Sequence, residues 1–113
     1  MGKQWGFSKR TEYGGRLYAS KMEAAYAAKL DLLMKAKGVE AVKWWNPQVR
    51  VPLVVNGQKI CSYIVDFEVC YGDFQREYVE IKGHETAIWR LKVKLLKACY
   101  PGCVLRVVKK GAK

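Results

Sequence analysis

Asn56-Gly57 constrains this chain more than any other pair of neighbours in it. A two-residue turn of type I′ needs positive φ at both central positions, and Asn followed by Gly meets that demand while matching the twist of two antiparallel strands. The flanking segments, residues 42–55 and 60–71, are rich in aromatic and β-branched side chains. A long β-hairpin is therefore predicted, its first strand interrupted by Asn46-Pro47 and Pro52. Gly72-Asp73 turns the chain into a third strand over residues 77–81. Ahead of the hairpin, Ser20 can cap a helix over residues 24–37, with Glu23 at the capping-box position and Gly38 as the stop. After Gly83 a second helix runs over residues 86–98, closed by Tyr100-Pro101-Gly102, and a last strand follows over residues 103–108. The order αβββαβ describes an α/β domain, a mixed central sheet flanked by helices.

A chain of 113 residues has room for one hydrophobic core. Residues 18–113 form that single domain. Residues 1–17 are Gly-rich and basic without a clean period, and are expected to form a weakly ordered arm. No repeats, linkers or low-complexity segments occur.

Lys and Arg number 21 against 10 Asp and Glu, a net charge of +11. Such a surplus favours a polyanionic partner, of which nucleic acid is the commonest, over a merely solvated basic surface. No apolar run approaches the roughly 20 residues of a membrane span, and the first residues lack an apolar signal-peptide core. A cytoplasmic location, with no membrane partner, is the expectation. Cys61, Cys70, Cys99 and Cys103 form no CxxC pair, which predicts free, mostly buried thiols. Cys99, Cys103 and His84 match no recognised zinc spacing.

Within this frame the acids are oddly placed. Asp66 lies among Ile64, Val65 and Phe67 on a strand that disfavours aspartate. Fourteen positions on stands Glu80, followed two residues later by Lys82, and the two share one face of their strand about 7 Å apart. Two carboxylates and an ammonium supply what phosphodiester hydrolysis needs: oxygen ligands for Mg²⁺ and a cation that orients the attacking water. Glu80 and Lys82 alone would read equally well as a surface ion pair. Glu23 sits in the middle of the apolar stripe formed by Tyr26, Ala27, Leu30, Leu33 and Met34, where a carboxylate is expensive to bury. It either completes the capping box with Ser20 or joins the strand acids at a metal. Glu68 shares the face of Asp66 and reads better as a solvated residue than as a ligand. On the second helix Arg90, Lys92, Lys94 and Lys97 ride opposite or beside an apolar row of Ile88, Leu91, Leu95 and Ala98, which is amphipathicity first and a phosphate-contact face second. Trp5, Phe7, Trp44 and Trp45 lie near basic residues, where base stacking competes with ordinary core or dimer packing.

The pattern Ser20-x-x-Glu23, Gln48, Asp66, Glu80-Ile81-Lys82-Gly83 and Thr86-x-x-Trp89-x-x-Lys92 resembles the PD-(D/E)XK, or restriction-endonuclease-like, superfamily over residues 17–108. It is similar in particular to small phage-encoded members and, more distantly, to Holliday junction resolvases. Val65 stands where the signature has proline, which weakens the motif more than the site. The resemblance implies a metal-dependent DNA endonuclease selective for branched DNA. It implies Mg²⁺, with Mn²⁺ able to substitute, held by Glu23, Asp66 and Glu80, and water positioned by Lys82. Gln48 would sit beside the acids and bond a ligand or the scissile phosphate, and Arg90, Lys92, Lys9 and Arg10 would contact nucleic acid. A homodimer in the cytoplasm of a phage's host is the implied setting. A non-catalytic DNA-binding module, an RNA nuclease or a sequence-specific nuclease are the alternatives.

Overall fold

The computed structural model describes residues 10–109. These form an α/β domain in the order β1 (Thr11–Tyr13), β2 (Arg16–Tyr18), α1 (Lys21–Leu33), β3 (Val42–Val55), β4 (Gln58–Tyr71), β5 (Arg76–Lys82), α2 (Ala87–Cys99) and β6 (Leu105–Lys109). The central sheet has the order β3-β4-β5-β6, antiparallel except for the parallel β5–β6 pair. The mixed sheet expected from the sequence is thus present. Asn56 and Gly57 both have positive φ, 51° and 78°, and join Val55 to Gln58 as the type I′ turn requires.

The expected arm is in part an ordered hairpin. β1 and β2 pair antiparallel around Gly14-Gly15, both at positive φ, and Tyr18 is buried against Phe67. The carboxylate of Asp31 on α1 pins this hairpin by accepting from the Tyr13 hydroxyl, and its second oxygen accepts from the Trp45 indole at 2.9 Å. The local sequence has no strong strand signal here, so these contacts with α1 and β4 supply what propensity does not. Lys9, Trp5 and Phe7 lie outside the described residues, and Arg10 is exposed just ahead of β1.

The core divides in two. Tyr18, Ala24, Ala27, Leu30, Val42, Phe67, Val69 and Val79 pack around α1, while Val51, Leu53, Tyr63, Val65 and Leu96 pack with α2. The boundary crosses the hairpin between Trp45 and Val49 on β3 and between Val65 and Phe67 on β4. Asp66 therefore stands on the seam between the two cores. The apolar row expected to bury α2 is not the one that does so. Ile88, Leu91 and Ala98 are exposed and only Leu95 of that row packs on the core, while Trp89, Val93 and Leu96 face the sheet. The two rows have the same helical spacing, so the fully buried Leu96 and the contacts of Trp89 decide between them. On α1, Met34 is likewise exposed, while Glu23 is buried as its position in the stripe predicts. The four cysteines are free, but Cys70 alone among them is fully buried.

Gly72 marks a close approach. Its amide donates to the Ala41 carbonyl at 2.7 Å, and a Cβ at this position would meet the Gly38 carbonyl oxygen at 2.3 Å. Gly72→Ala is expected to lower the melting temperature by several degrees, the overpacking cost being roughly 1–3 kcal/mol. Gly102→Ala, which meets open space, should melt like the wild type. Equal melting of the two variants would contradict this packing.

Candidate active site

Three elements bring the predicted acids together. Pairing of β4 with β5 runs from Cys70–Arg76 to Phe67–Val79 and goes no further. At the next step the Asp66 carboxylate takes the place of a strand carbonyl, accepting from the Ile81 amide at 2.8 Å. Continued pairing of β5 with β6 carries Glu80 and Lys82 past that point, and the Lys82 ammonium lies 3.6 Å from Glu80 Oε2. Glu23, in the first turn of α1, is an electrostatic neighbour of both Asp66 and Glu80.

These carboxylates are poorly solvated and close to one another. Glu23 and Glu80 are 7 % and 6 % exposed. Burial, and then the charge of Asp66, push both carboxyl groups up from the ordinary range to about 7, against the pull of Lys82. Burial also raises Asp66, opposed by the Ile81 amide and Lys82. Glu23 Oε1 and Glu80 Oε1 are buried without a hydrogen-bond partner. A carboxylate oxygen in that position costs free energy unless a cation or donor reaches it. The capping reading of Glu23 is met only by half: the Ser20 hydroxyl accepts from the Glu23 amide at 3.1 Å, which leaves the carboxylate Oε1 unused.

Two orphaned carboxyl oxygens next to Asp66 are a fit for a hard divalent cation, which prefers oxygen ligands. Glu23, Asp66 and Glu80 are the residues that could hold it. Among the described residues no three His, Cys, Asp or Glu side chains converge into a ready-made cage. Mg²⁺ does not need one, because it is ordinarily bound through one or two carboxylates and keeps its waters or substrate phosphates as the other ligands.

Gln48 occupies the position opposite Asp66 in the β3–β4 register, between the pairs Pro47–Phe67 and Val49–Val65. Its φ is +53°, and it is exposed. A left-handed conformation costs a residue with a Cβ roughly 1–2 kcal/mol, and such strain clusters at functional sites. The kink coincides with the seam between the two cores. Lys92 is half-buried one turn beyond Trp89, whereas Arg90 is exposed and paired with Glu85 at 3.6 Å. Glu68 pairs with Arg76 at 3.3 Å, away from the acid cluster. Trp45 is half-buried with its ring edge on Phe67, and Trp44 is partly exposed.

Two residues without an assigned role in the sequence reading belong to the cluster. The Tyr63 hydroxyl lies beside the Glu80 carboxylate and accepts from the Trp89 indole at 2.9 Å. The Lys82 ammonium lies over the Trp89 ring, 5.1 Å from its centroid. Trp89 already stands in the Thr86-x-x-Trp89-x-x-Lys92 part of the pattern, where the Thr86 cap fixes the start of α2, whereas the only sequence signal for Tyr63 is its position three residues ahead of Asp66.

The fold and cluster define an α/β domain with a buried carboxylate–lysine site. The chain belongs to the DUF1064 family, described as a protein of unknown function, which matches residues 6–113. No curated protein and no solved structure matches it significantly.

Proposed function

We propose that this protein is a metal-dependent DNA endonuclease of the restriction-endonuclease-like class, acting on branched DNA in the manner of a junction resolvase. The observation that carries the reading is the pair of orphaned carboxylate oxygens, Glu23 Oε1 and Glu80 Oε1, beside Asp66 and within reach of Lys82. In a purely DNA-binding module the burial of these acids would destabilise the fold and repel the ligand, with nothing gained in return.

Glu23, Asp66 and Glu80 would hold Mg²⁺, or Mn²⁺ in its place. Bound there, the ion supplies an acidified water and neutralises charge on the scissile phosphate. Lys82 places a positive charge at the edge of the carboxylates, where it orients a water and stabilises the negative charge that builds on the phosphoryl oxygens. Gln48, opposite Asp66, is positioned to donate its amide to a phosphate oxygen. The basic surplus holds the polymer, and Lys92, Arg90 and Arg10, with Lys9 preceding the described residues, are the contacts proposed for it. Symmetric cutting of a four-way junction requires two active sites, so the proposal includes a homodimer. The setting is the cytoplasm. Among the described residues no helix is long and apolar enough to cross a membrane.

The test is cleavage of matched four-way, Y-shaped, nicked and linear DNA, with an RNA hairpin alongside, in Mg²⁺ and in Mn²⁺. Cleavage of the junction in preference to linear DNA is expected. Inertness toward every DNA substrate in both metals would overturn the proposal, and cleavage of the RNA alone would reassign the substrate. DNA affinity should also fall steeply with salt, log K declining linearly in log salt by roughly 0.9 per phosphate neutralised. A salt-independent affinity, measured by fluorescence anisotropy, would remove the +11 charge from the binding account.

A further inference from the structure

We infer that Trp89 is a positioning residue that sets two members of the site at once, Glu80 through the Tyr63 hydroxyl and Lys82 through its ring face. The inference rests on the metal-dependent reading above.

The direction of the chain of hydrogen bonds follows from the groups themselves. An indole N–H can only donate, so in the 2.9 Å contact the Tyr63 oxygen must be the acceptor. The hydroxyl keeps its own proton for another partner, and the neighbouring Glu80 carboxylate is the acceptor beside it. Glu80 is thereby tethered by Tyr63 and, at Oε2, by Lys82 3.6 Å away, and Oε1 is left without any partner. A carboxylate with neighbours of this kind keeps its buried, unpartnered oxygen in place with its rotation restricted. The ring face of Trp89 meanwhile attracts the Lys82 ammonium 5.1 Å from its centroid, which keeps that charge next to Glu80. Trp89 can serve both because its backbone is fixed: its amide donates to the Thr86 hydroxyl at 3.0 Å in the capped first turn of α2. Tyr63 is 3 % exposed, and Trp89 packs against the core that contains it. Partners of this kind, bonded to a ligand carboxylate, orient it and tune its affinity for the ion.

Packing alone would also place a tryptophan here, so the test must separate the N–H and O–H groups from the bulk of the rings. Mn²⁺ alone is titrated into the full chain at fixed pH, and the free ion is counted by its electron paramagnetic resonance signal. Wild type, Tyr63→Phe, Trp89→Phe, the double variant and Glu80→Gln are compared, with melting temperatures recorded for each. Tyr63→Phe and Trp89→Phe should each weaken Mn²⁺ binding by roughly ten-fold. The double variant should be no weaker than Tyr63→Phe, because both substitutions break one chain that ends on one carboxylate. At saturating Mn²⁺, junction cleavage by Trp89→Phe should show a lower kcat with KM for DNA unchanged.

If the wild type binds no Mn²⁺, or Glu80→Gln binds it as the wild type does, the metal reading fails and this inference with it. If Glu80→Gln loses binding while Tyr63→Phe and Trp89→Phe retain it, only the positioning role fails. Losses that add in the double variant, or that follow the melting temperature from variant to variant, would mark the pair as packing and overturn the inference.

Discussion

Asp66→Ala, Glu80→Ala and Lys82→Ala are each expected to lower the rate of junction cleavage by about two orders of magnitude or more, while DNA binding in the absence of chemistry stays within a few-fold of wild type. The size follows from what each side chain does. Removing a single preorganised charge that stabilises a transition state costs about 10²–10³ in rate, and the three act as a unit, so combined substitutions should lose little beyond the worst single one. On the proposed reading affinity would rest on the basic surface and not on these acids, and Asp66→Ala or Glu80→Ala should if anything tighten binding by removing negative charge near the phosphates. Single-turnover cleavage and anisotropy titrations on the same preparations measure the two quantities. Wild-type rates in two of the three variants would dismiss the assignment.

Glu23→Gln is expected to separate folding from activity. Glutamine keeps the size of the side chain and leaves intact the Ser20–Glu23 backbone contact, because that bond uses the main-chain amide. Only the charge goes. In the metal-free protein the folded carboxyls of Glu23 and Glu80 hold their protons up to about pH 7, whereas an unfolded glutamate releases its proton near its ordinary value of 4.5. Between those limits the native state binds more protons at these two groups than the unfolded one, so the stability they contribute is fully present below about pH 4.5 and is lost as the pH rises through about 7. Melting curves in a chelator should therefore fall from pH 5 to pH 8. Glu23→Gln should flatten that fall and melt above the wild type at pH 8, since one of the mutually repelling carboxylates is gone. Added Mg²⁺ should raise the wild-type melting temperature at pH 8 and raise the variant's less. Cleavage by the variant should drop severely and need more Mg²⁺ or Mn²⁺ to recover. An unchanged metal titration for cleavage would return Glu23 to a capping role, and an unchanged pH slope would mean that its carboxylate is not the buried group described here.

The order of the central elements could be read from local chemistry. Asn56-Gly57 prescribes its own turn whatever surrounds it, and Ser20 and Thr86 cap their helices through hydroxyls that reach only three residues along the chain. Strand alternation alone places Glu80 and Lys82 on one face, and the 3.6 Å ion pair agrees. The sequence by itself thus determined the order of the central elements, the Asn56-Gly57 hairpin, the conflict of charged residues with apolar surroundings, and the acids to examine. The tertiary structure decided what neighbours in sequence do not encode. It selected Trp89, Val93 and Leu96 over Ile88 and Leu91 as the buried row of α2, because two rows of equal period are distinguished only by the surface they meet. The hairpin of residues 11–18 became ordered through Asp31 and Phe67, partners with no local signal. Tyr63 and Trp89, 26 residues apart in sequence, met beside Glu80 and Lys82. The left-handed Gln48 came to stand opposite Asp66 where the core divides. In each case the physical reason is the same: turns, caps and periods are short-range properties, whereas the burial of a carboxylate and the partner that meets it depend on which distant surfaces the closed sheet brings together.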